Sequence, residues 1–561
     1  MNQPVSGLLI SDFTIDTLGA FLVNAPQQPQ CEIKTGPFGQ VIGILNNPAD
    51  SLWSTRPDFT IVWTQLSHVV PSFRKLLAFE PVPEAQLLQE CDTFINAVKS
   101  AAGRTRFLFV MSWTLPPFLR GFGPIDHKPG LGWQSALLTL NKRMADQLSA
   151  SQNIFILNTA AWTHTLGENA FNPKLWYLSK IPFDPSVFKL AAQDIKAAML
   201  ACLGKSRKII LLDLDDTLWG GVVGETGWQA LNIGGHNPTG EAYADFQRAL
   251  KALKNRGVIL GIISKNEEAV ALAALEQHPE MILRREDFAG WRINWQDKAA
   301  NILSLLAELN LGVDSAVFID DNPAERSRVS QALPDVLVPE WPAHSLLYPK
   351  ALAALSCFDT IYVGAEDRAR ARMYATEHQR QEIRAQAQDI NEWLKSLNIT
   401  VTVEPLSAAN LPRAAQLLNK TNQMNLTTRR LSEAEFMAWA KEPGHTVWTF
   451  RVQDNLGDSG LTGIISLELA AKTGHIVDLV LSCRVFGRQL EDLMLAILIA
   501  HAAKQGAETI TARYLPTEKN PPCLEFLRDR SGFTALPDNL FCWKTTQAYA
   551  MPSMITVTNA S

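Results

Sequence analysis

Ile209-Ile210-Leu211-Leu212-Asp213-Leu214-Asp215-Asp216-Thr217-Leu218-Trp219-Gly220-Gly221 is the stretch that decides how this chain folds. Its four leading apolar residues read as a buried strand of a parallel sheet. Asp213 and Asp215 follow two positions apart, so they share a face while the backbone stays extended. Carboxylates side by side at a strand end repel each other unless a cation neutralises them. A hard cation that takes oxygen ligands, such as Mg²⁺, would do so. Gly220 and Gly221 let backbone N–H groups approach an anion closely. The pattern suits phosphate chemistry.

Working outward, the same unit predicts strands at 208–213, 258–263 and 315–320, with helices at 240–256 and 297–310 between them. The second strand ends in Ser264-Lys265-Asn266, where a hydroxyl and an amide can hydrogen-bond a phosphoryl oxygen. Lys298 opens a helix after Asn294-Trp295-Gln296-Asp297 and can neutralise a phosphate at that helix's start. The third strand ends in Asp320-Asp321-Asn322-Pro323, a second carboxylate pair. All these elements fall at the carboxyl edge of one parallel sheet, where open α/β folds bind ligands. The candidate metal ligands are Asp213, Asp215, Asp320 and Asp321. Thr217, Trp219, Gly220, Gly221, Asn266 and Asn322 are the candidate substrate contacts around them.

The rest of the chain predicts an α/β multidomain protein: two doubly wound α/β domains followed by an α+β domain. The first domain covers 1–183, alternating strand-like runs such as Leu8-Leu9-Ile10 and Phe107-Leu108-Phe109-Val110 with helical stretches at 85–102 and 134–150. The second covers 184–345. A helical linker is expected at 346–397. The third domain, 398–546, predicts closely spaced strands at 399–404, 446–453, 461–468 and 475–482 and a helix at 487–505. Residues 547–561 read as a flexible tail.

Composition excludes several classes. The chain has 561 residues and a formal net charge of −5, with no Lys/Arg-rich run, so a nucleic-acid partner is not expected. No uncharged apolar stretch reaches membrane-spanning length, and Met1-Asn2-Gln3-Pro4 lacks the basic start of a signal peptide. The seven cysteines are scattered without Cys-x-x-Cys spacing, which argues against a metal or disulfide framework and for a reducing cytoplasm.

The ordered motifs, a strand ending in DxDxT, a strand ending in Ser, a Lys and a strand ending in DD, resemble those of the haloacid dehalogenase (HAD) superfamily. The resemblance implies Asp213 as the nucleophile that forms an aspartyl-phosphate and Asp215 as general acid and then base. It implies that Ser264 and Lys298 hold the phosphoryl group and that Asp213, Asp215 and Asp320 carry Mg²⁺, with Asp321 supporting the metal site.

Further segments narrow the likeness: Leu175-Trp176-Tyr177-Leu178-Ser179-Lys180-Ile181-Pro182-Phe183, Trp219-Gly220-Gly221-Val222-Val223-Gly224-Glu225, Asn419 to Arg430, and Ser482-Cys483-Arg484-Val485-Phe486-Gly487-Arg488. With these the chain resembles the FkbH-like family. That resemblance implies transfer of a glyceryl unit from 1,3-bisphosphoglycerate to the phosphopantetheine thiol of an acyl carrier protein, with loss of phosphate, for polyketide or related secondary-metabolite biosynthesis. It also implies an SGNH-like, non-catalytic first domain and a GCN5-related N-acetyltransferase (GNAT)-like last domain. Where family members often carry a cysteine before the serine of the second motif, this chain has Ile263. The thiol would then be Cys483, which is either an acyl carrier or a buried small hydrophobe. Arg484-Val485-Phe486-Gly487-Arg488-Gln489 resembles a GNAT pyrophosphate loop, with Arg488 and Gln489 departing from its usual small residues. The two arginines are either phosphate or phosphopantetheine contacts or surface charges, and Asn422 and Arg430 belong either to a substrate loop or to turn chemistry. Two other activities remain open: a stand-alone HAD phosphatase, and a GNAT-type transfer of an acyl group to an amine or sugar.

Overall fold

The computed structural model describes residues 4–115, 120–362, 390–482 and 485–559. It divides into two compact units, Met1–Cys202 and Leu203–Ser561. The helical linker expected at 346–397 lies for the most part outside the described residues, as do Cys483 and Arg484.

In the first unit β1 (Val5–Ser11), β2 (Cys31–Thr35), β3 (Phe59–Trp63), β4 (Phe107–Met111) and β5 (Ile154–Leu157) form a parallel sheet in the order β2-β1-β3-β4-β5. Phe59–Trp63 and Phe107–Met111 are buried throughout, as expected for strands covered on both faces. The helix Pro185–Cys202 packs against the helices Asp16–Asn24 and Thr159–Leu166. Its buried stripe, including Val187, Phe188, Ala191 and Ile195, is part of this unit. The boundary expected at 183/184 therefore sits ahead of a helix that closes the first unit.

The second unit begins with a four-stranded parallel sheet of β6 (Ile209–Leu212), β7 (Ile259–Ser264), β8 (Trp291–Ile293) and β9 (Ala316–Ile319), in the order β8-β7-β6-β9. The apolar run of β6 has a role on each face. Ile210 and Leu212 join a core with Phe246, Leu250 and Ile262, while Ile209 and Leu211 join another with Ile302, Leu305 and Phe318. Burial on both sides is why the strand reads as continuous rather than alternating.

A nine-stranded sheet completes the unit. Its strands are β10 (Ile399–Pro405), β11 (Met424–Asn425), β12 (His445–Asp454), β13 (Gly457–Ala470), β14 (Thr473–Leu481), β15 (Thr509–Arg513), β16 (Thr534–Leu536), β17 (Leu540–Lys544) and β18 (Ile555–Asn559). β10, β12, β13 and β14 pair antiparallel, as the spacing predicts. The expected flexible tail instead supplies β18, which pairs parallel with β10. β14 and β15 pair parallel only over Thr473–Ile476 and Thr509–Ala512, and then part. The chain itself fills the opening. β11 pairs with Leu481 and Val480, Leu426 N–H donates to Leu479 O at 3.2 Å, and Leu515 N–H donates to Leu426 O at 3.0 Å.

Candidate active site

Three strands of the β8-β7-β6-β9 sheet each end in part of the site. β6 runs into Asp213, β7 ends on Ser264, and β9 runs into Asp320. The short strand β8, which the sequence pattern does not mark, leads into the helix Lys298–Glu308. β7 and β9 flank β6, so these carboxyl ends meet where the strand order reverses.

Asp213, Asp320 and Asp321 each present an oxygen within 4.8 Å of the others. Lys298 Nζ lies between two of them, 2.9 Å from Asp213 Oδ2 and 2.6 Å from Asp320 Oδ2. Burial alone would lower the Lys298 ammonium, but the charges of Asp213 and Asp320 raise it overall. Burial, and then the charge of Asp213, pushes Asp320 up to about 6. Burial also raises Asp321. Asp213 Oδ1 is buried with no hydrogen-bond partner. Three carboxylates against one ammonium, with an oxygen left unsatisfied, fit a divalent cation. The hydroxyl of the buried Ser264 makes no hydrogen bond among the described residues.

Asp215 stands apart from the carboxylate cluster. Its Oδ1 accepts from Trp219 Nε1 at 2.9 Å and from Val223 N–H at 3.0 Å, and its Oδ2 accepts from Asn266 Nδ2 at 2.7 Å. With three donors satisfying it, its carboxylate is not grouped with the metal ligands as the sequence suggests. Burial raises Asp215 above the ordinary carboxyl range, which suits a group that must carry a proton.

Several expected substrate contacts instead build the site from behind. Trp219 is fully buried and touches Asp215 through its indole N–H, so it cannot wall a substrate. Thr217 is buried too; its hydroxyl donates to Asp321 Oδ1 at 3.0 Å and accepts from Asp321 N–H at 2.9 Å. Asn322 caps the helix Pro323–Ala332 by accepting from Ala324 N–H. The glycine N–H groups are also occupied: Gly220 donates to Asn232 O at 3.0 Å and Gly221 to Asp216 Oδ1 at 2.8 Å. Gly221 has φ +98°, and a Cβ on Gly220 would lie 2.9 Å from Tyr243. Turn geometry and packing, not an anion cradle, explain these two glycines. Sequence reading missed Tyr243 and Tyr348. Their hydroxyls donate to Asp216 O at 3.0 and 3.1 Å and hold the loop after β6, with Asp216 at φ +51°. Both lie far from the motifs in sequence, so no spacing marks them.

The last domain disperses its candidates. Arg488 is buried against Asp454, 3.1 Å away, and so is not a surface charge. Gly487 takes φ +74° just before it. Arg430 donates to the Leu418 and Thr421 carbonyls and to Asn422 Oδ1, tying the polar loop together. In the first unit, Ser11 is buried with its hydroxyl accepting from Phe13 N–H, and His164 is exposed on the helix Thr159–Leu166. Asp12 meets His68 Nδ1 at 3.2 Å.

No protein-family model matches the chain, and no curated protein does. Among solved structures, the chain is similar to the N-terminal part of BF1531 from Bacteroides fragilis, which contains a phosphatase domain and is complexed with Mg. The identity is 28% and the TM-score 0.58, covering 64% of this chain and 94% of that one. It is also similar to a GNAT-family acetyltransferase from Staphylococcus aureus, with TM-score 0.21 and 10% identity, over 26% of this chain and 99% of that one. A spermidine/spermine N-acetyltransferase from Vibrio cholerae gives TM-score 0.20 and 12% identity, over 27% of this chain and 95% of that one. The sheet that carries the aspartates has the HAD-type fold that its motifs imply.

Proposed function

We propose that this chain transfers a glyceryl unit from 1,3-bisphosphoglycerate to the phosphopantetheine thiol of an acyl carrier protein and removes the remaining phosphate with a Mg²⁺-dependent HAD site. One observation carries the phosphatase half. Asp213 has a buried, unpartnered oxygen beside Asp320 and Asp321, while Asp215 is held separately by three donors and raised by burial. Two carboxylates in such different environments divide into nucleophile and proton donor.

Asp213 attacks the phosphorus of the 3-phosphate, the P–O bond to the glyceryl oxygen breaks, and Asp215 gives that oxygen its proton. Water then attacks the aspartyl-phosphate and Asp215, now ionised, takes the water's proton. Inorganic phosphate leaves and Asp213 is restored. Ser264 and Lys298 hold the phosphoryl oxygens. Asp213, Asp320 and Asp321 would hold Mg²⁺, which offsets phosphoryl charge.

The acyl half rests on the FkbH-like segments. In it the thiol sulfur attacks the C1 carbonyl of the acyl phosphate, the C–O bond to phosphate breaks, and the thiol proton passes to solvent as phosphate leaves. Ile263 precedes Ser264, so a thiol does not stand at that position of the aspartate edge. The sulfur is that of Cys483 or of the carrier. The glycolytic donor is consistent with a cytoplasmic enzyme.

The test is intact-protein mass spectrometry of enzyme and carrier after incubation with Mg²⁺ and 1,3-bisphosphoglycerate generated in situ. Glyceryl on the carrier is the expected result, with phosphoglyceryl accumulating in Asp213→Asn. Loss of transfer in Cys483→Ala assigns the sulfur to the enzyme, and retained transfer assigns it to the carrier. Phosphate release with no acyl adduct on either protein would leave a stand-alone phosphatase.

A further inference from the structure

Within the second unit, a cleft of about 510 Å³ opens at the end of the catalytic sheet opposite the aspartates. Lys208, Ile259 and Ser315 line it; Ile259 begins β7, and Lys208 and Ser315 immediately precede β6 and β9, the strands that with β7 lead to Asp213, Ser264 and Asp320. At about 3.3 Å per residue, five residues of strand separate the two edges by roughly 17 Å. The facing wall comes from the last domain, through Leu417, Lys420 to Gln423, Leu481, Ser482 and Phe486.

The charges of this cleft are unbalanced. Lys205, Lys208, Arg413, Lys420 and Lys519 line it, against Asp314, Asp335 and Glu518. Lys519 pairs with Asp314, and Lys208 Nζ donates to Lys420 O at 3.1 Å. Lys205 has no ion-pair or hydrogen-bond partner among the described residues. Enclosure by the cleft walls, and then the charges of Lys519 and Arg430, hold its ammonium below the ordinary value. Crowded like charges favour an incoming anion. Beside them Leu311, Val313, Leu417, Leu481 and Phe486 give an apolar lining. The chemistry that fits is a phosphate joined to an uncharged arm, and the volume is that of a small-ligand site.

We propose that this cleft binds the phosphopantetheine arm of the carrier protein, with its phosphate against Lys205 and Lys519 and its amide chain along Leu417, Leu481 and Phe486. The inference rests on the acyl-transfer reading. It also gives that reading a spatial order. The catalytic sheet separates the cleft from Asp213, so a unit loaded here reaches the aspartates only by leaving on its carrier and presenting its phosphate at the other edge.

The test is calorimetric titration of the full chain, without Mg²⁺, using 4′-phosphopantetheine, pantetheine, inorganic phosphate and coenzyme A. Wild type is expected to bind 4′-phosphopantetheine at least tenfold tighter than pantetheine or inorganic phosphate, and tighter than coenzyme A. Lys205→Glu and Lys519→Ala should each lose that tenfold preference while hydrolysing a small phosphate ester at the wild-type rate. Equal affinity for pantetheine, or an unchanged preference in both variants, overturns the proposal. Tighter binding of coenzyme A reassigns the cleft to a free cofactor and overturns it too. Carrier loading separates the two readings. Arm binding without glyceryl transfer sinks the acyl-transfer reading, and transfer at the wild-type rate in Lys205→Glu sinks the cleft.

Discussion

Lys298 joins the phosphate chemistry of the site to its stability. It is almost wholly buried, and its ammonium offsets two carboxylates that would otherwise face each other. Breaking a buried charge pair by removing one partner costs about 3–5 kcal/mol. In Lys298→Met without Mg²⁺ that loss is expected near pH 8, where Asp320 is ionised. It should shrink near pH 5, because a carboxyl whose folded value is raised gains stability as pH falls towards its unfolded value. Urea unfolding at the two pH values tests this, and an equal loss at both would refute it. The same reasoning applies to the cation. Asp320, pushed up to about 6, holds a proton that competes with Mg²⁺ below that pH and is gone above it. Mg²⁺ affinity should rise through pH 6 and level off above it, as read by calorimetry. Arg488 poses the opposite case, since it is paired with the buried Asp454 away from the carboxylate cluster. Arg488→Ala should destabilise the protein by about 3–5 kcal/mol without raising KM for the carrier. A phosphate contact would show the reverse.

At the scale of elements, the parting of β14 from β15 bears on what the last domain can do. Such an opening could admit an extended ligand, but β11 and Leu426 already bridge it through backbone hydrogen bonds. Asn520 Nδ2 adds a bond to Asn425 O at 2.9 Å. With the slot filled, saturating coenzyme A should leave hydrogen exchange at the Leu426 and Leu515 amides unchanged. Faster exchange at both would show the segment displaced and favour GNAT-type transfer. A two-residue strand such as β11 has no periodicity to read, so the sequence does not reveal this segment. The aspartate edge was legible for the opposite reason. Each motif follows an apolar run long enough to mark a strand, and parallel topology brings strand ends together without further information. Residue type alone did not show which way side chains face. Trp219 and Thr217 carry the right chemistry for a substrate wall yet point into the core to hold Asp215 and Asp321. The helix Pro185–Cys202 falls on the other side of the expected boundary because an amphipathic stripe does not say which sheet it covers.

At the scale of the whole molecule, two compact units hold separate cores, and among the described residues the carboxylate cluster lies in the second. Large chains of this kind do not unfold in a single step when their units are independent. A ligand that binds only the folded state stabilises whatever unfolds with its site, by about 2.7 kcal/mol at a hundredfold excess over Kd. Scanning calorimetry should therefore resolve two transitions, and Mg²⁺ should raise the midpoint of one while leaving the other in place. Asp213→Asn should abolish that shift, because it removes one of the three clustered carboxylates, without moving the Mg²⁺-insensitive transition. A single transition that Mg²⁺ raises as a whole would show instead that the units unfold together. In that case the first unit, which holds no catalytic group in the proposed reaction, would be coupled energetically to the metal site.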